Sequence, residues 1–497
     1  MDQSFAPEYF ETIFRFLPTN KDLHSCLLVN KYWAACTVPI LWEAPFKIND
    51  NFSPSPKVIQ TYLAFIPNEI FLKLGYDERI GLSITRPPFF DYPSFLKELP
   101  YDRFLNSAIA NNCCKNVIIE LLKIFTMKMM RLRRFNLYDY LFNQHFKCQN
   151  QIASSILHYF SEFTLIFSSL SYLDCSYQWP MQKTQLFSAI AQDCHNIETL
   201  KISVWHEDEG KINNFASSPV QALLNQKHSI NSVTFKDIHS NNNLSEAEFF
   251  NYTIFELNGD AIDALVQCTN INKIKFKHCE GLNSSLFLPI ASAFSNLTSL
   301  EYSYGNYNIH DVTTPIKLLS GLIRKSCNTL KRVTLDWHSR EYLDITQLIK
   351  SITQHMISLK YLKIPLYTLE QLALIHQAHN QLKKLEVHVN KRINPYGAFS
   401  IFANVPFKSP EQSIKLYLDY PENFNLKTNR LHHVFEPIFY KNNRIVDFIL
   451  CTRDKASPSI EKKDTLLRIY PRLKINVLNN RWNLNFLAIT RSDSEIN

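Results

Sequence analysis

One pattern constrains this chain more than any other. From about Ser169 onward, the arrangement apolar-x-x-apolar-x-apolar returns again and again. It occurs as Leu170/Leu173/Cys175, Ile197/Leu200/Ile202, Ile230/Val233/Phe235 and Ile271/Ile274/Phe276. It continues as Leu297/Leu300/Tyr302, Leu330/Val333/Leu335, Leu359/Leu362/Ile364, Leu382/Leu385/Val387 and Ile445/Phe448/Leu450, with a degenerate copy at 413–418. The first anchors are 23 to 41 residues apart. Alternation of the last two anchors predicts a short strand. Helical runs precede most copies, at 185–194, 260–268, 316–327, 345–357, 369–379 and 431–440. A helix–strand unit repeated at this period cannot bury its apolar face alone, so neighbouring copies must stack.

Glycine supports the same reading. Only 8 of 497 residues are Gly, against about 7% in an average protein. Asn stands just before the strand at Asn196, Asn270 and Asn296, and two places earlier at Asn328, Asn380 and Asn443. A helix that turns back needs a left-handed terminal residue, and Asn is the usual substitute for Gly. The expectation is that these asparagines end the helices. Scarce Gly also removes classes of chemistry: no Gly-rich phosphate cradle and no G-x-S-x-G is present, and H-E-x-x-H is absent too.

Charge and cysteine add limits. The net charge of +8, from 53 basic and 45 acidic residues, is mild and does not call for nucleic acid. The 11 cysteines contain no C-x-x-C pair. Cys26, Cys194, Cys268 and Cys327 lie within or at the ends of apolar periodic stretches, which predicts reduced, buried thiols and a cytoplasmic or nuclear setting. The opening Met1-Asp2-Gln3-Ser4-Phe5 has no basic or apolar leader character. The most apolar run, 163–173, is far short of the ~18 residues of a membrane helix. No membrane partner is expected.

The first 45 residues read differently. Phe10, Ile13, Phe14 and Leu17 fall at i, i+3, i+4, i+7, one face of a helix. Thr19 and Asp22 have capping-box spacing. A second helix carries Leu23, Cys26 and Leu27, and a third carries Trp33, with Val38-Pro39 as its expected stop. Helices this short cannot bury their apolar faces alone.

These residues resemble the F-box family. Glu8, Phe10, Ile13-Phe14, Leu17, Asp22-Leu23, Cys26, Val29-Asn30-Lys31, Trp33 and Leu41-Trp42 follow its pattern in order and spacing; the opening Leu-Pro is replaced by Phe5-Ala6, with Pro7 one place late. The repeats resemble the irregular leucine-rich repeats of F-box proteins. The expected fold class is therefore an α/β solenoid of leucine-rich-repeat-like helix–strand units, preceded by an all-α F-box and a helical spacer. The expected boundaries are 1–45 for the F-box, 46–165 for the mostly helical spacer, 166–452 for the repeats and 453–497 for a cap and tail.

The resemblance implies a non-catalytic substrate receptor of an SCF-type cullin–RING ubiquitin ligase, with no cofactor. Pro7, Glu8, Phe10, Ile13, Phe14, Leu17, Leu23, Val29 and Trp33 would bind the Skp-family adaptor, and through it the cullin–RING complex. The repeats would bind a target protein. On each strand the residues alternating with the anchors face outward. That surface would carry Lys201, Lys236, Lys275, Lys277, Asp336, Lys363 and Glu386, with a basic middle at Lys236, Lys275 and Lys277 suited to an acidic segment. Two other classes stay open: an interaction scaffold outside any ligase, and a nucleic-acid-binding solenoid. The densest basic run, 128–134, followed by Phe135, Tyr138 and Tyr140, is the feature nearest to the latter; its alternation with apolar residues reads as a helix with a solvated basic face. No catalytic residue is assigned. His376 and His379 share a helical face without a third ligand, and Cys268 with His278-Cys279 has irregular spacing, so no metal site is assigned either.

Overall fold

The computed structural model describes residues 7–46, 56–74, 88–129, 131–136, 164–175, 193–203, 224–236, 259–279, 282, 287–304, 315–337, 344–355, 357–378, 382–389, 397, 401, 413–418, 448–452, 473–479 and 485–491. The chain divides into two compact units, Met1–Val233 with Ser245–Cys268, and Thr234–Leu244 with Thr269–Asn497.

The first unit opens with α1 (Pro7–Arg15), α2 (Asn20–Leu27) and α3 (Lys31–Leu41). Their ends follow local chemistry. Thr19 Oγ1 accepts from the Asp22 amide and donates to the Asp22 carboxylate, the reciprocal cap read from the sequence. Asn30 caps α3 by accepting from the Trp33 amide at 2.8 Å. Pro39 does not stop α3; it lies inside the last turn, and the helix runs on to Leu41. So near the end, the missing N–H costs a single hydrogen bond. Phe14, Leu23, Cys26 and Cys36 form the module's core, and Phe10, Leu17, Trp33, Ile40 and Leu41 pack against it.

Residues 46–165, expected to be mostly helical, contain α4 (Pro56–Leu63), α5 (Asn68–Lys73), α6 (Tyr92–Phe95), α7 (Tyr101–Ala110) and α8 (Lys115–Lys128). They also contain two strands, β1 (Glu98–Pro100) and β2 (Arg134–Asn136). β1 pairs in parallel with β2, β2 with β3 (Tyr172–Cys175), and β3 with β4 (Thr199–Ser203). The parallel row thus begins at Glu98, well before residue 166. Its signal was in the sequence: Leu96/Leu99/Tyr101 is a further copy of the repeat, and Leu132/Phe135 begins another. All five side chains are buried.

A single hydrogen-bond motif links successive strands where they begin. The Glu43 carbonyl accepts from the amides of both Lys97 and Glu98, each at 2.9 Å. The Lys97 carbonyl does the same for Arg133 and Arg134, Arg133 for Ser171 and Tyr172, Ser171 for Glu198 and Thr199, and Glu198 for Asn231 and Ser232. The segment after α3 is therefore the first rung, with Phe46 buried beneath it. Strand β5 (Ser232–Lys236) runs across the division between the units.

The second unit repeats the device. The Asn272 carbonyl serves Thr298 and Ser299, Thr298 serves Lys331 and Arg332, Lys331 serves Lys360 and Tyr361, and Lys360 serves Lys383 and Lys384. Strands β6 (Lys273–Lys277), β7 (Ser299–Tyr304), β8 (Arg332–Trp337), β9 (Tyr361–Leu366), β10 (Lys384–Val389) and β11 (Ser413–Leu418) pair in parallel in chain order. The anchors Ile274, Leu300, Val333 and Leu362 are fully buried. The preceding helices are α10 (Leu288–Ala293), α11 (Ile316–Lys325), α12 (Thr346–His355) and α13 (Leu369–Ala378), and α9 (Gly259–Val266) belongs to the first unit. At Gly321 in α11, an added Cβ would come within 2.6 Å of the Ala291 Cβ of α10; one of the few glycines is placed where two helices touch. The fold class is the expected one, N-terminal helices followed by parallel helix–strand units of the leucine-rich-repeat kind.

Two expectations fail. The copy at Ile445/Phe448/Leu450 is not a parallel rung. Its strand, β12 (Phe448–Thr452), pairs antiparallel with β14 (Asn485–Arg491), which pairs antiparallel with β13 (Leu473–Asn479). A returning strand satisfies a backbone edge that a further parallel rung would leave open. The described repeat asparagines, Asn196, Asn270, Asn296 and Asn328, are not left-handed either: among the described non-glycine residues only Asn112 and His278 have positive φ; Asn380 and Asn443 lie outside the described residues. Short side chains close the helix-to-strand turns instead. Cys194 Sγ donates to the Phe167 carbonyl, Gln226 Nε2 to the Cys194 carbonyl, Ser326 Oγ to the Phe294 carbonyl and Thr329 Oγ1 to the Leu297 carbonyl.

Truncating a rung anchor removes buried contacts on both neighbours. Leu335→Ala should lower unfolding free energy by about 2–5 kcal/mol, whereas Lys317→Ala, on the solvent side of α11, should change it by less than about 0.5 kcal/mol. Equilibrium urea unfolding monitored by circular dichroism measures both.

Candidate functional site

Two surfaces result from this framework. The first is on the N-terminal module. Of the residues expected to touch an adaptor, Phe10, Phe14, Leu17, Leu23 and Trp33 are used internally: the Phe10, Phe14 and Trp33 rings lie 5.1–5.8 Å apart, centroid to centroid. Ile13, at 57% exposure, and Val29 face solvent, as do Pro7 and Glu8. The sequence reading missed Tyr9, Phe16 (83% exposed) and Leu28, the most exposed large apolar side chains here. Tyr9 and Ile13 are spaced i, i+4 on α1, and Phe16 follows in the turn just after it, its amide donating to the Ile13 carbonyl, so the three continue one stripe. The stripe through Phe10, Phe14 and Leu17 lies about 100° around the same segment. One stripe is covered by the module and the other by nothing among the described residues, which marks an interaction face.

The second surface is the open face of the strands. The expected target-binding residues do lie on strands, but most are already engaged. Lys201 Nζ is 3.0 Å from the buried Asp174 carboxylate. Burial alone would lower Lys201, but hydrogen bonds and attraction from Tyr172 and Asp174 raise it above the usual lysine value. Lys275 and Lys277 both reach Glu301, at 2.7 and 3.4 Å, with Lys275 directly opposite Glu301 in register. The basic middle is therefore partly neutralised by its neighbour strand; the Lys236 side chain lies outside the described residues. Lys363 pairs with Asp336 at 2.5 Å. Glu386 was expected to be exposed; it is 7% exposed and pairs with Lys384 at 2.7 Å. Two tyrosines stand between cations: Tyr172 with Arg134 at 4.2 Å and Lys201 at 5.1 Å from the ring centroid, and Tyr361 with Arg332 at 4.2 Å and Lys384 at 5.4 Å. Burial and the Glu386 carboxylate push the Tyr361 phenol up to about 12.

The remaining candidates carry less. The basic run 128–134 is not a solvated helix face: Lys128 ends α8 and pairs with Asp91, Leu132 is fully buried, and Arg134 opens β2. Cys194 and Cys268 are buried, which pushes their thiols up to about 12 and 11. Thiols so protonated are poor nucleophiles and ligands. An open groove of about 620 Å³ beside α10 and α11 is lined by Leu288, Ala291, Lys317, Arg324 and Lys325 among others, with no carboxylate. Among the described residues no group of three His, Cys, Asp or Glu could hold a metal, and no helix is long and apolar enough to cross a membrane. The paired histidines His376 and His379 lie outside the residues whose side chains are described. No protein-family model matches the chain, and no curated protein matches it.

The Glu301 clamp has a pH signature. Burial raises its carboxyl, but Lys275 and Lys277 more than offset this and hold it below 4.5. A depressed carboxyl stabilises the fold above its unfolded value, and that contribution is lost as pH falls through the folded value. Replacing Glu301 by Gln should flatten the acid limb of the stability profile below about pH 4.5 and leave its shape above about pH 6 unchanged, as read by urea midpoints across pH.

Proposed function

We propose that this chain is the target-binding subunit of an SCF-type cullin–RING ubiquitin ligase, working in the cytoplasm or nucleus. The observation that carries the reading is the doubly apolar segment formed by the first helix and the turn after it: Phe10, Phe14 and Leu17 hold the module together, while Tyr9, Ile13 and Phe16 are left to solvent in a segment that follows the F-box pattern. A three-helix module with an uncovered apolar stripe fits an adaptor that buries the stripe. In this reading the Skp-family adaptor docks there, and the strand repeats hold the target. The chain performs no bond-making step. It raises the local concentration of target lysines near the conjugating enzyme carried by the other subunits.

The test separates the two stripes. Co-expressed with a Skp-family adaptor, the wild-type chain should co-purify with it. Ile13→Glu combined with Phe16→Glu should abolish co-purification, because a charge desolvated in an apolar interface costs several kcal/mol. Both side chains are exposed, so the variant should keep the wild-type thermal midpoint. Leu17 is the wrong residue for this purpose, since it packs inside the module. Adaptor retained at wild-type level by the folded variant would leave the chain an interaction scaffold outside the ligase.

A further inference from the structure

The strand-start motif has an electrostatic consequence. Because Lys331 donates to Thr298, Lys360 to Lys331 and Lys383 to Lys360, these three lysines occupy equivalent places on consecutive rungs. All three are exposed. One residue further in, Arg332, Tyr361 and Lys384 lie side by side in register. Neighbouring strands are about 4.8 Å apart, so the starts of β8, β9 and β10 present two short columns containing five cations. Like charges stacked across strands destabilise a sheet.

The strand carboxylates that could relieve Lys331 and Lys360 are engaged with other lysines. Strands β6 to β10 contain three acidic residues, Glu301, Asp336 and Glu386. Glu301 holds Lys275 and Lys277, Asp336 holds Lys363, and Glu386 holds Lys384. Among the described residues, no carboxylate pairs with Lys331 or Lys360 within salt-bridge distance. Among the described strand residues of this unit, the unanswered positive charge thus lies at the rim rather than in the middle of the sheet.

We propose that the rim formed by Lys331, Arg332, Lys360, Lys383 and Lys384 binds an extended acidic protein segment, whose carboxylates supply the counter-charges that the strands withhold from Lys331 and Lys360. Charge complementarity selects an anion, and Tyr361 selects between anions. Single-stranded nucleic acid is held by bases stacked on open aromatic rings as well as by phosphate contacts. The Tyr361 ring stands between Arg332 from one neighbouring strand and Lys384 from the other, so neither face is open to a base. A peptide carboxylate needs only the cations. This inference names the class of target for the repeats and so rests on the receptor reading, but its test needs no adaptor, and the two can fail separately.

The test uses the full chain and a short fluorescent peptide of alternating Glu and Ser, followed by anisotropy. Binding should weaken as salt rises. The triple variant Lys331→Gln, Lys360→Gln, Lys383→Gln should bind about tenfold more weakly or worse. A control triple on the solvent side of the helices, Lys317→Gln, Lys325→Gln, Lys350→Gln, removes the same charge and should stay within about twofold of wild type, since bulk charge is a weaker, screened effect. A measurement on unmodified protein gives the same answer without variants: excess peptide should shield Lys331 and Lys360, and not Lys317, from amine acylation mapped by mass spectrometry. Equal losses in the two triples, shielding spread evenly over the surface, no peptide binding, or a length-matched oligonucleotide that displaces the peptide at lower concentration would each overturn the proposal.

Discussion

The structure depends on one recurring hydrogen-bond arrangement, a single carbonyl that accepts two consecutive amides from the next rung. It occurs at Glu43, Lys97, Arg133, Ser171 and Glu198 in the first unit, and at Asn272, Thr298, Lys331 and Lys360 in the second. Each instance fixes where a strand begins relative to its neighbour. Register then follows without choice, and with it which side chains are buried. A slip by one residue would bring Lys331 or Lys360 to an anchor position and expose a leucine. The arrangement also explains why irregular lengths between rungs are tolerated. Only the strand start is specified, so the return segment can be short, as between β9 and β10, or can hold two helices, as between β1 and β2.

Fixed register decides the electrostatics of the open face. Lys275 stands opposite Glu301 by backbone pairing, so a surface that looks basic in composition is partly self-neutralised. The same constraint aligns lysines at the strand starts, where no acid is available to answer Lys331 or Lys360 among the described residues. Charge that is cancelled in one column and accumulated in the next gives the second unit a directional surface.

Much of this was legible in the sequence, and the failures are informative. The anchors of β3 to β10 follow from an apolar spacing that only a half-buried strand requires. The rungs at Leu96/Leu99/Tyr101 and Leu132/Phe135 carry the same spacing, but the second is embedded in a basic run that reads equally well as a helix face. Cross-strand charge pairs were not legible, because Asp174 with Lys201 and Asp336 with Lys363 depend on register rather than on spacing along the chain. Glu386 reads as solvent-facing by alternation, yet Lys384 and Tyr361 cover it. The helical period in α1 showed one apolar stripe; Tyr9 and Phe16, which complete the uncovered one, lay outside the motif positions.

The module formed by α1 to α3 is joined to the repeats by the first rung at Glu43. Amide hydrogen exchange tests it most directly. The Lys97 and Glu98 amides should exchange slowly, as protected as those of Ser171 and Tyr172 in the same unit, because each pair shares one carbonyl of the preceding rung. Exchange at Lys97 and Glu98 as fast as in an unstructured loop, with Ser171 and Tyr172 still protected, would contradict the claim and make the N-terminal helices a separate attachment.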